Sequence, residues 1–191
     1  MKRSLWLILL LSSQSVWANF DDALLAYHQG HYTRAISEFK RLAKVGDVAA
    51  QYNLAYMYAR GLGVNKDYDQ AFTWFYAAAK RGDAEAQYHL AGLYEQGLGV
   101  NQNYQRAISW YQKSALQGYQ PAQISLAGLY AIGLGADDDI GQSWTWLTVA
   151  ERQQAQAMIT DAKLLLQEQL SPQQLQQARY HSENIIAQLP N

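Results

Sequence analysis

A chain of 191 residues with 49% hydrophobic and 16% charged residues has the composition of a globular protein, which excludes a disordered or fibrous chain. Its formal net charge of -1 excludes the strongly basic surface of a nucleic-acid binder, so we expect no nucleic-acid partner. No cysteine occurs, which excludes disulfides, thiolate metal sites and a lipid-modified N-terminal cysteine.

Residues 1–18 have the pattern of a cleavable secretory signal peptide. Lys2 and Arg3 precede an apolar run, Leu5–Leu11, that is about half the length needed to cross a bilayer. Small residues at positions 16 and 18 suit a signal peptidase, so we expect cleavage after Ala18, a mature start at Asn19 and a periplasmic protein with no membrane span. An uncleaved anchor is the alternative, which the polar residues 12–14 disfavour.

Residues 46–153 contain three copies of a 36-residue pattern. In each copy a Gly-Leu-Gly turn separates two stretches with apolar residues at helical spacing, which predicts two antiparallel helices, A and B. We assign the repeated residues, aromatic ones included, to packing. They include Gly46, Gly82 and Gly118; Gln51, Gln87 and Gln123; Leu54, Leu90 and Leu126; Tyr58, Tyr94 and Tyr130; and Trp74, Trp110 and Trp146.

The first copy predicts helix A at about Val48–Arg60 and helix B at about Tyr68–Lys80. Asp67 is placed to cap helix B, with Gln70 completing a capping box. The glycines that open the three turns are expected to have a positive φ or a backbone contact too close for a Cβ. They are Gly61, Gly97 and Gly133.

The run Ala50–Val64, Ala-Gln-Tyr-Asn-Leu-Ala-Tyr-Met-Tyr-Ala-Arg-Gly-Leu-Gly-Val, followed by Tyr68, Ala71 and Trp74, resembles the Sel-one-like repeat. That family is related to the tetratricopeptide repeat and has a longer inter-helix loop. The resemblance covers about Gly46–Arg152. It implies an all-α, right-handed superhelical solenoid of helix pairs.

The expected organisation places a tetratricopeptide-like helix pair before the three copies and a helical cap after them. Ser171, Pro172 and Gln174 predict the start of a last helix that reaches about Gln188, although a disordered Gln-rich tail is the alternative. The predicted segments are 1–18 (signal peptide), 19–45 (tetratricopeptide-like pair), 46–81, 82–117 and 118–153 (Sel-one-like repeats), and 154–191 (capping helices).

No catalytic motif, phosphate loop or metal-binding spacing is found in the sequence, so we expect neither an enzyme nor a cofactor or metal. His28 and His31 are weak candidates for a metal, and surface histidines are the better interpretation. The acidic run Asp137–Asp139 lacks the remaining ligands of a calcium loop.

Function is therefore expected on a surface. In related solenoids the A helices line the inner face, which nominates residues of the first two copies as partner-binding. They are Tyr52, Asn53, Tyr56, Arg60, Tyr88, His89 and Gln96, with Ile124, Ser125 and Ile132 at inward positions of the third copy.

These features predict a non-catalytic periplasmic scaffold or adaptor that binds a partner protein or peptide in the cell envelope. Two alternatives stay open. One is an envelope enzyme or a protein that binds peptidoglycan fragments or β-lactams, although the relatives linked to β-lactams carry a cysteine pair in each repeat and this chain has none. The other is a MotX-like flagellar motor component.

Overall fold

The computed structural model describes residues 20–135, 139–153 and 156–190. The predicted signal peptide and its cleavage site after Ala18 lie outside the described residues, as do Asp137 and Asp138. The described residues form ten α-helices and no β-strand, which confirms the predicted all-α fold of consecutive helix pairs. The helices are α1 (residues 20–28), α2 (Tyr32–Lys44), α3 (Val48–Arg60), α4 (Tyr68–Lys80), α5 (Ala84–Gln96), α6 (Tyr104–Ala115), α7 (Gln120–Ala131), α8 (Ile140–Gln153), α9 (Ala157–Gln167) and α10 (Pro172–Gln188).

The chain divides into two compact units, Met1–Arg81 and Gly82–Asn191. In the first unit α2 packs against α3, and α3 pairs with α4. Helices α3 and α4 have the predicted bounds of helix A and helix B. Small residues let the two backbones approach while Phe75 and Leu54 fill the core beside them. The buried side chains of this pair include Leu54, Ala55 and Met57 of α3 and Ala71, Phe75 and Ala78 of α4.

In the second unit α5 pairs with α6 and α7 pairs with α8. Both C-terminal helices pack against α8, and Ile159 of α9 and Ala178 of α10 are buried. The Thr145 hydroxyl of α8 donates to the Ala178 carbonyl at 3.2 Å. The tail is therefore helical over residues 157–167 and 172–188, and the alternative of a disordered tail is wrong there.

Polar side chains cap the B helices of the three copies and α10, and at α4 only the Asp67 half of the predicted capping box is present. A cap of this kind satisfies a backbone N–H that has no partner within the helix. Ser171 and Gln174 form the complete, reciprocal capping box of α10. At the B helices, Asp67 accepts from the Gln70 N–H at 2.9 Å, Asn103 from Arg106 at 2.8 Å and Asp139 from Gln142 at 2.9 Å.

The two glycines of each Gly-Leu-Gly turn have different roles. The first has φ of 70° at Gly61 and Gly97 and 64° at Gly133, which confirms the predicted positive φ. At Gly63 and Gly135 the second glycine lies against backbone, because a Cβ on Gly63 would be 2.6 Å from the Tyr32 carbonyl carbon and one on Gly135 would be 2.7 Å from the Tyr104 carbonyl carbon. Tyr32 and Tyr104 begin α2 and α6, so the second glycine lets each turn rest on the helix pair before it.

In the first and third copies the recurring glutamine joins neighbouring helix pairs of the same unit. The Gln51 amide donates to the Ala43 carbonyl at 3.2 Å, and the Gln123 amide donates to the Ala115 carbonyl at 3.1 Å. Both glutamines are buried on an A helix, and both carbonyls lie in the last turn of the preceding B helix. Each carbonyl also accepts from the N–H of the glycine three residues later, so the glutamine gives the helix end a second hydrogen bond.

A further hydrogen bond closes the hairpin of each pair in the second unit. The Ser114 hydroxyl of α6 donates to the Ala84 carbonyl of α5 at 2.6 Å. One 36-residue period later, the Gln120 amide of α7 donates to the Ala150 carbonyl of α8 at 2.8 Å. The same two positions are thus joined in both pairs, with the donor on opposite helices.

Candidate functional site

Three of the predicted partner-binding residues form a continuous row along α3. Their spacing of four residues places them on one helix face. The Tyr52 ring packs 5.9 Å from the Phe75 ring of α4 and stacks 6.4 Å from the Tyr56 ring, and the Arg60 guanidinium lies 5.4 Å from the centre of the Tyr56 ring. Tyr52 and Tyr56 are half-buried and Arg60 is exposed, so the row ends in an accessible cation.

A tyrosine that the sequence analysis did not nominate extends this row within the first unit. Burial raises the pKa of Tyr27 on α1, and the neighbouring Tyr56 and Tyr32 raise it further while Arg60 opposes them. The Tyr27 and Tyr32 rings are 5.6 Å apart. Tyr27 precedes the repeated copies, so the 36-residue register could not place it beside α3.

Tyr88, the predicted anchor on α5, lies at the centre of an aromatic cluster in the second unit. Its ring is 5.6 Å from Tyr111 of α6, 5.3 Å from Tyr119 at the start of α7, and 5.2 Å from His89. Burial raises the pKa of Tyr119, and the negative charge of Glu85 adds to that effect. Tyr88 therefore supports the contact between α5, α6 and α7.

Glu95 has a fixed carboxylate beside this cluster. The Tyr111 hydroxyl donates to Glu95 Oε2 at 2.7 Å, and Tyr111 is only 3% exposed. Burial raises the pKa of Tyr111 strongly, and the hydrogen bond to Glu95 raises it further because the phenol proton is needed there. The hydroxyl also interacts with Ser125 of α7. We call the region around Tyr88, Glu95, Tyr111 and Ser125 the α5–α7 junction.

The remaining predicted residues do not share the row of α3. The Asn53 amide donates to the Ala49 carbonyl of its own helix at 2.8 Å. His89 is half-buried against Tyr88, and Gln96 is exposed as the last residue of α5. The structure thus groups Tyr52, Tyr56 and Arg60 in the first unit, and Tyr88 with His89 in the second.

The third copy carries an open apolar groove between α7 and α9, with a volume of about 440 Å³. Ile124, predicted to face inward, lines it. Two of its wall residues are largely exposed, Met158 at 66% and Leu165 at 63%. No charged residue lines this α7–α9 groove, whose other lining residues are Ala127, Gly128, Ala131, Ser143, Leu147, Ile159, Ala162, Leu166 and Gln169.

A smaller, polar cavity of about 300 Å³ lies at the starts of α8 and α10, where Asp139 and His181 are among its lining residues. Asp139 serves there as the cap of α8. The described residues bring together no group of three histidine or acidic side chains able to hold a metal ion. Within those residues, no helix has the length and apolar character needed to span a membrane.

Comparison with known proteins identifies the repeat. The family model of the Sel1 repeat matches residues 48–83 and 84–119. The chain thus contains two Sel1 repeats. Its two matched Sel1 repeats contain the pairs α3–α4 and α5–α6, and the α7–α8 pair continues their register beyond the matched residues.

Solved structures share the fold of this chain. A protective antigen with an SLR fold, present in uropathogenic Escherichia coli strains, is 35% identical with a TM-score of 0.75, over 81% of this chain and 33% of that one. A Sel1 repeat protein from Oxalobacter formigenes is 29% identical with a TM-score of 0.66, over 72% of this chain and 55% of that one. This chain thus spans only part of either relative's length. No curated protein matches the sequence.

Proposed function

We propose that this protein is a non-catalytic scaffold of the bacterial cell envelope that binds a partner protein or peptide through the A helices of its repeats. The observation that carries the proposal is the row of Tyr52, Tyr56 and Arg60 on α3. Tyrosine and arginine are the side chains most often found as anchors of protein interfaces. The glutamine, leucine and alanine that recur in each A helix are buried, whereas this row differs between copies and ends at the exposed Arg60.

Export to the envelope is supported by the basic, apolar and small-residue pattern of residues 1–18. N-terminal sequencing of protein released by osmotic shock tests this part of the proposal. We expect the released chain to begin at Asn19. Recovery of a chain that begins at Met1 in the membrane pellet would contradict export with cleavage.

Binding through α3 is tested with two matched variants. Arg60→Ala removes the exposed cation above Tyr56, and Lys80→Ala removes an equivalent cation that lies 5.5 Å from the Tyr76 ring on a B helix. Both pairs have the same four-residue spacing at a helix C-terminus, so both substitutions should change stability by similarly small amounts.

Affinity capture from the envelope fraction, read by mass spectrometry, gives the result. We expect Arg60→Ala to lose a protein that the wild-type chain and Lys80→Ala both retain, with a weakening of about 1 kcal/mol or more. Equal capture by both variants would exclude the α3 row as the binding site. Binding of soluble peptidoglycan fragments without any captured protein would replace the scaffold proposal with its saccharide-binding alternative.

A further inference from the structure

The α7–α9 groove is lined in part by positions whose equivalents, one repeat earlier, carry larger side chains that fill the corresponding space. A shift of one 36-residue period relates Tyr88 to Ile124, Glu95 to Ala131 and Tyr111 to Leu147. At the α5–α7 junction, the larger members of these pairs contact each other and the start of α7. In the third copy the smaller members line open space instead. The groove therefore arises from side-chain size at three equivalent positions.

The direction taken by the C-terminal helices keeps this space open. Helix α9 packs against α8 and forms one wall of the groove, and α10 also packs against α8. Glu151 of α8 pairs with Lys163 of α9 and accepts from the Thr160 hydroxyl at 2.6 Å, which fixes α9 in position. Met158 and Leu165 thus remain exposed on a wall that is held in place.

The charged side chains of α5 and α7, the A helices of the second and third copies, are all acidic. Helix α5 contains Glu85 and Glu95 and no lysine or arginine, and Asp83 caps its start. Helix α7 contains no charged residue. The basic residues of α6 lie over aromatic rings, Arg106 over Tyr94 and Lys113 over Trp110. Within the described residues, Glu95 forms no ion pair and is held by the neutral Tyr111 hydroxyl.

We propose that the α7–α9 groove seats large apolar side chains of a basic, amphipathic segment of a partner protein, whose lysine or arginine side chains meet the acidic residues of α5. This inference rests on the proposed scaffold function and names the chemistry of its partner. The walls accept apolar side chains because nearly every lining residue is apolar or small, and burial of Met158 and Leu165 favours association. The acidic residues select against an acidic segment, since like charges at an interface are costly.

The acidic helix contacts the helix that forms one wall of the groove. The Tyr88 ring of α5 lies 5.3 Å from the Tyr119 ring at the start of α7, and residues of α7 line the groove. A helical segment can present apolar and basic side chains on adjacent stripes, as in helix-in-groove recognition. Gly128, in the middle of α7, leaves the floor of the groove clear, because a Cβ placed there would meet nothing within 4 Å.

The test uses the full chain and three fluorescein-labelled peptides. The first contains only lysine and leucine at amphipathic helical spacing; the second replaces every lysine with glutamate, and the third replaces every leucine with serine. We expect the first peptide to bind the wild-type chain about tenfold or more tightly than either of the others, measured by fluorescence anisotropy. Equal binding of the first and second peptides would overturn the role of charge. Equal binding of the first and third would overturn the role of the groove.

Two substitutions of Gly128 distinguish a blocked groove from an unfolded protein. Gly128→Phe places a ring in the groove and should reduce lysine–leucine peptide binding about tenfold, whereas Gly128→Ala should leave it unchanged. Both keep α7 helical because the position has room for a side chain. Unchanged binding by Gly128→Phe, with an unchanged helical spectrum, excludes the groove as the site.

The double variant Glu85→Gln, Glu95→Gln tests the acidic part of the site. Glutamine retains an oxygen that accepts from the Tyr111 hydroxyl, so the fold should persist. We expect affinity for the lysine–leucine peptide to fall severalfold and to become less sensitive to salt. An unchanged affinity and salt dependence would remove the acidic residues from the proposal.

Sedimentation of the wild-type chain tests whether a second copy of the chain, and not a partner segment, occupies the groove. A dimer that Gly128→Phe dissociates would identify the groove as an interface between two copies, and the partner-segment proposal would be wrong. Failure of the groove is also separable from failure of the scaffold function. Capture that depends on Arg60 but not on Gly128 keeps the scaffold and rejects only the groove.

Discussion

The α5–α7 junction and the α7–α9 groove lie on the same helix-pair framework, but side chains fill the first and leave the second open. Both lie between consecutive A-position helices, and both have a buried leucine and alanine on the preceding A helix, Leu90 and Ala91 or Leu126 and Ala127. Tyrosines and a glutamate close the first, whereas isoleucine, leucine and alanine leave the second open. The frame of a helix-pair repeat can therefore stay constant while a few side chains decide whether neighbouring pairs seal or leave a groove.

The comparison predicts its largest effect at the position shared by Tyr111 and Leu147. Tyr111→Ala should cost about 3–5 kcal/mol, because it creates a cavity and leaves the Glu95 carboxylate without its donor. Leu147→Ala should cost about 2 kcal/mol, since Leu147 already borders open space. Urea unfolding followed by circular dichroism measures both, with Tyr111→Phe isolating the hydroxyl. Equal losses would mean that the junction and the groove are packed alike.

The next effect concerns the turn after α7. Gly135→Ala should destabilise by about 1–3 kcal/mol, because Gly135 has a positive φ of 79° and its Cβ would collide with Tyr104 at the start of α6. Gly30→Ala is the control, with φ of 76° and nothing within 4 Å of the added Cβ. A smaller loss for Gly30→Ala in thermal unfolding isolates the contact with α6. Equal losses of stability would mean that the positive φ of Gly135, and not its contact with α6, accounts for the effect.

The stability contributed by the Glu151 contacts, which hold the α9 wall of the groove, should decrease in acid. Hydrogen bonds from Lys163 and Thr160 lower the pKa of Glu151 below its usual 4.5. A lowered pKa in the folded state contributes stability above the unfolded pKa, and this contribution is lost as pH falls through the folded value. Glu151→Gln should therefore cost about 1 kcal/mol at neutral pH, because solvent screens this partly exposed pair, and the difference from wild type should shrink below pH 4.5. Thermal unfolding at neutral and acidic pH checks the sign, and a difference that grows in acid would contradict it.

The smallest expected effect is an increase in stability. Gly128→Ala should stabilise the chain by about 0.5–1 kcal/mol, because alanine restricts the unfolded chain and favours the helix while its methyl group enters open space. The melting temperature measures this gain. A loss of stability would show that the groove floor is more tightly packed than the structure indicates, and would weaken the contrast with the α5–α7 junction.

Sequence periodicity predicted the frame well because the frame is what repeats. Helices α3 and α4, the cap at Asp67 and the positive φ of the turn glycines follow from local chemistry at repeated positions. The cap at Ser171 follows from the Ser-Pro-Gln-Gln sequence of the tail. Reasoning from the repeat also named Ile124 as inward-facing. It gave no reason to expect a groove there, because the opening depends on where α9 packs after the period ends.

The candidate binding residues were only partly accessible to sequence reasoning. Spacing alone placed Tyr52, Tyr56 and Arg60 on one face of α3, since four-residue intervals align on a helix. It could not separate an anchor from a packing residue, and Tyr88 lies among three other aromatic rings. Tyr111 and Glu95 come from different helices, so their hydrogen bond required the fold before it could be seen.

The exchange of donor between Ser114 and Gln120 affects how such repeats are compared. In one pair the B helix supplies the hydrogen to Ala84, and in the next pair the A helix supplies it to Ala150. In the first copy the same two positions hold Val48 and Ala78, and neither side chain can donate a hydrogen bond. The bond is therefore a feature of the second unit, where either member of the pair supplies the donor. Counting identities at single positions hides such a contact, because the donor changes position from one copy to the next.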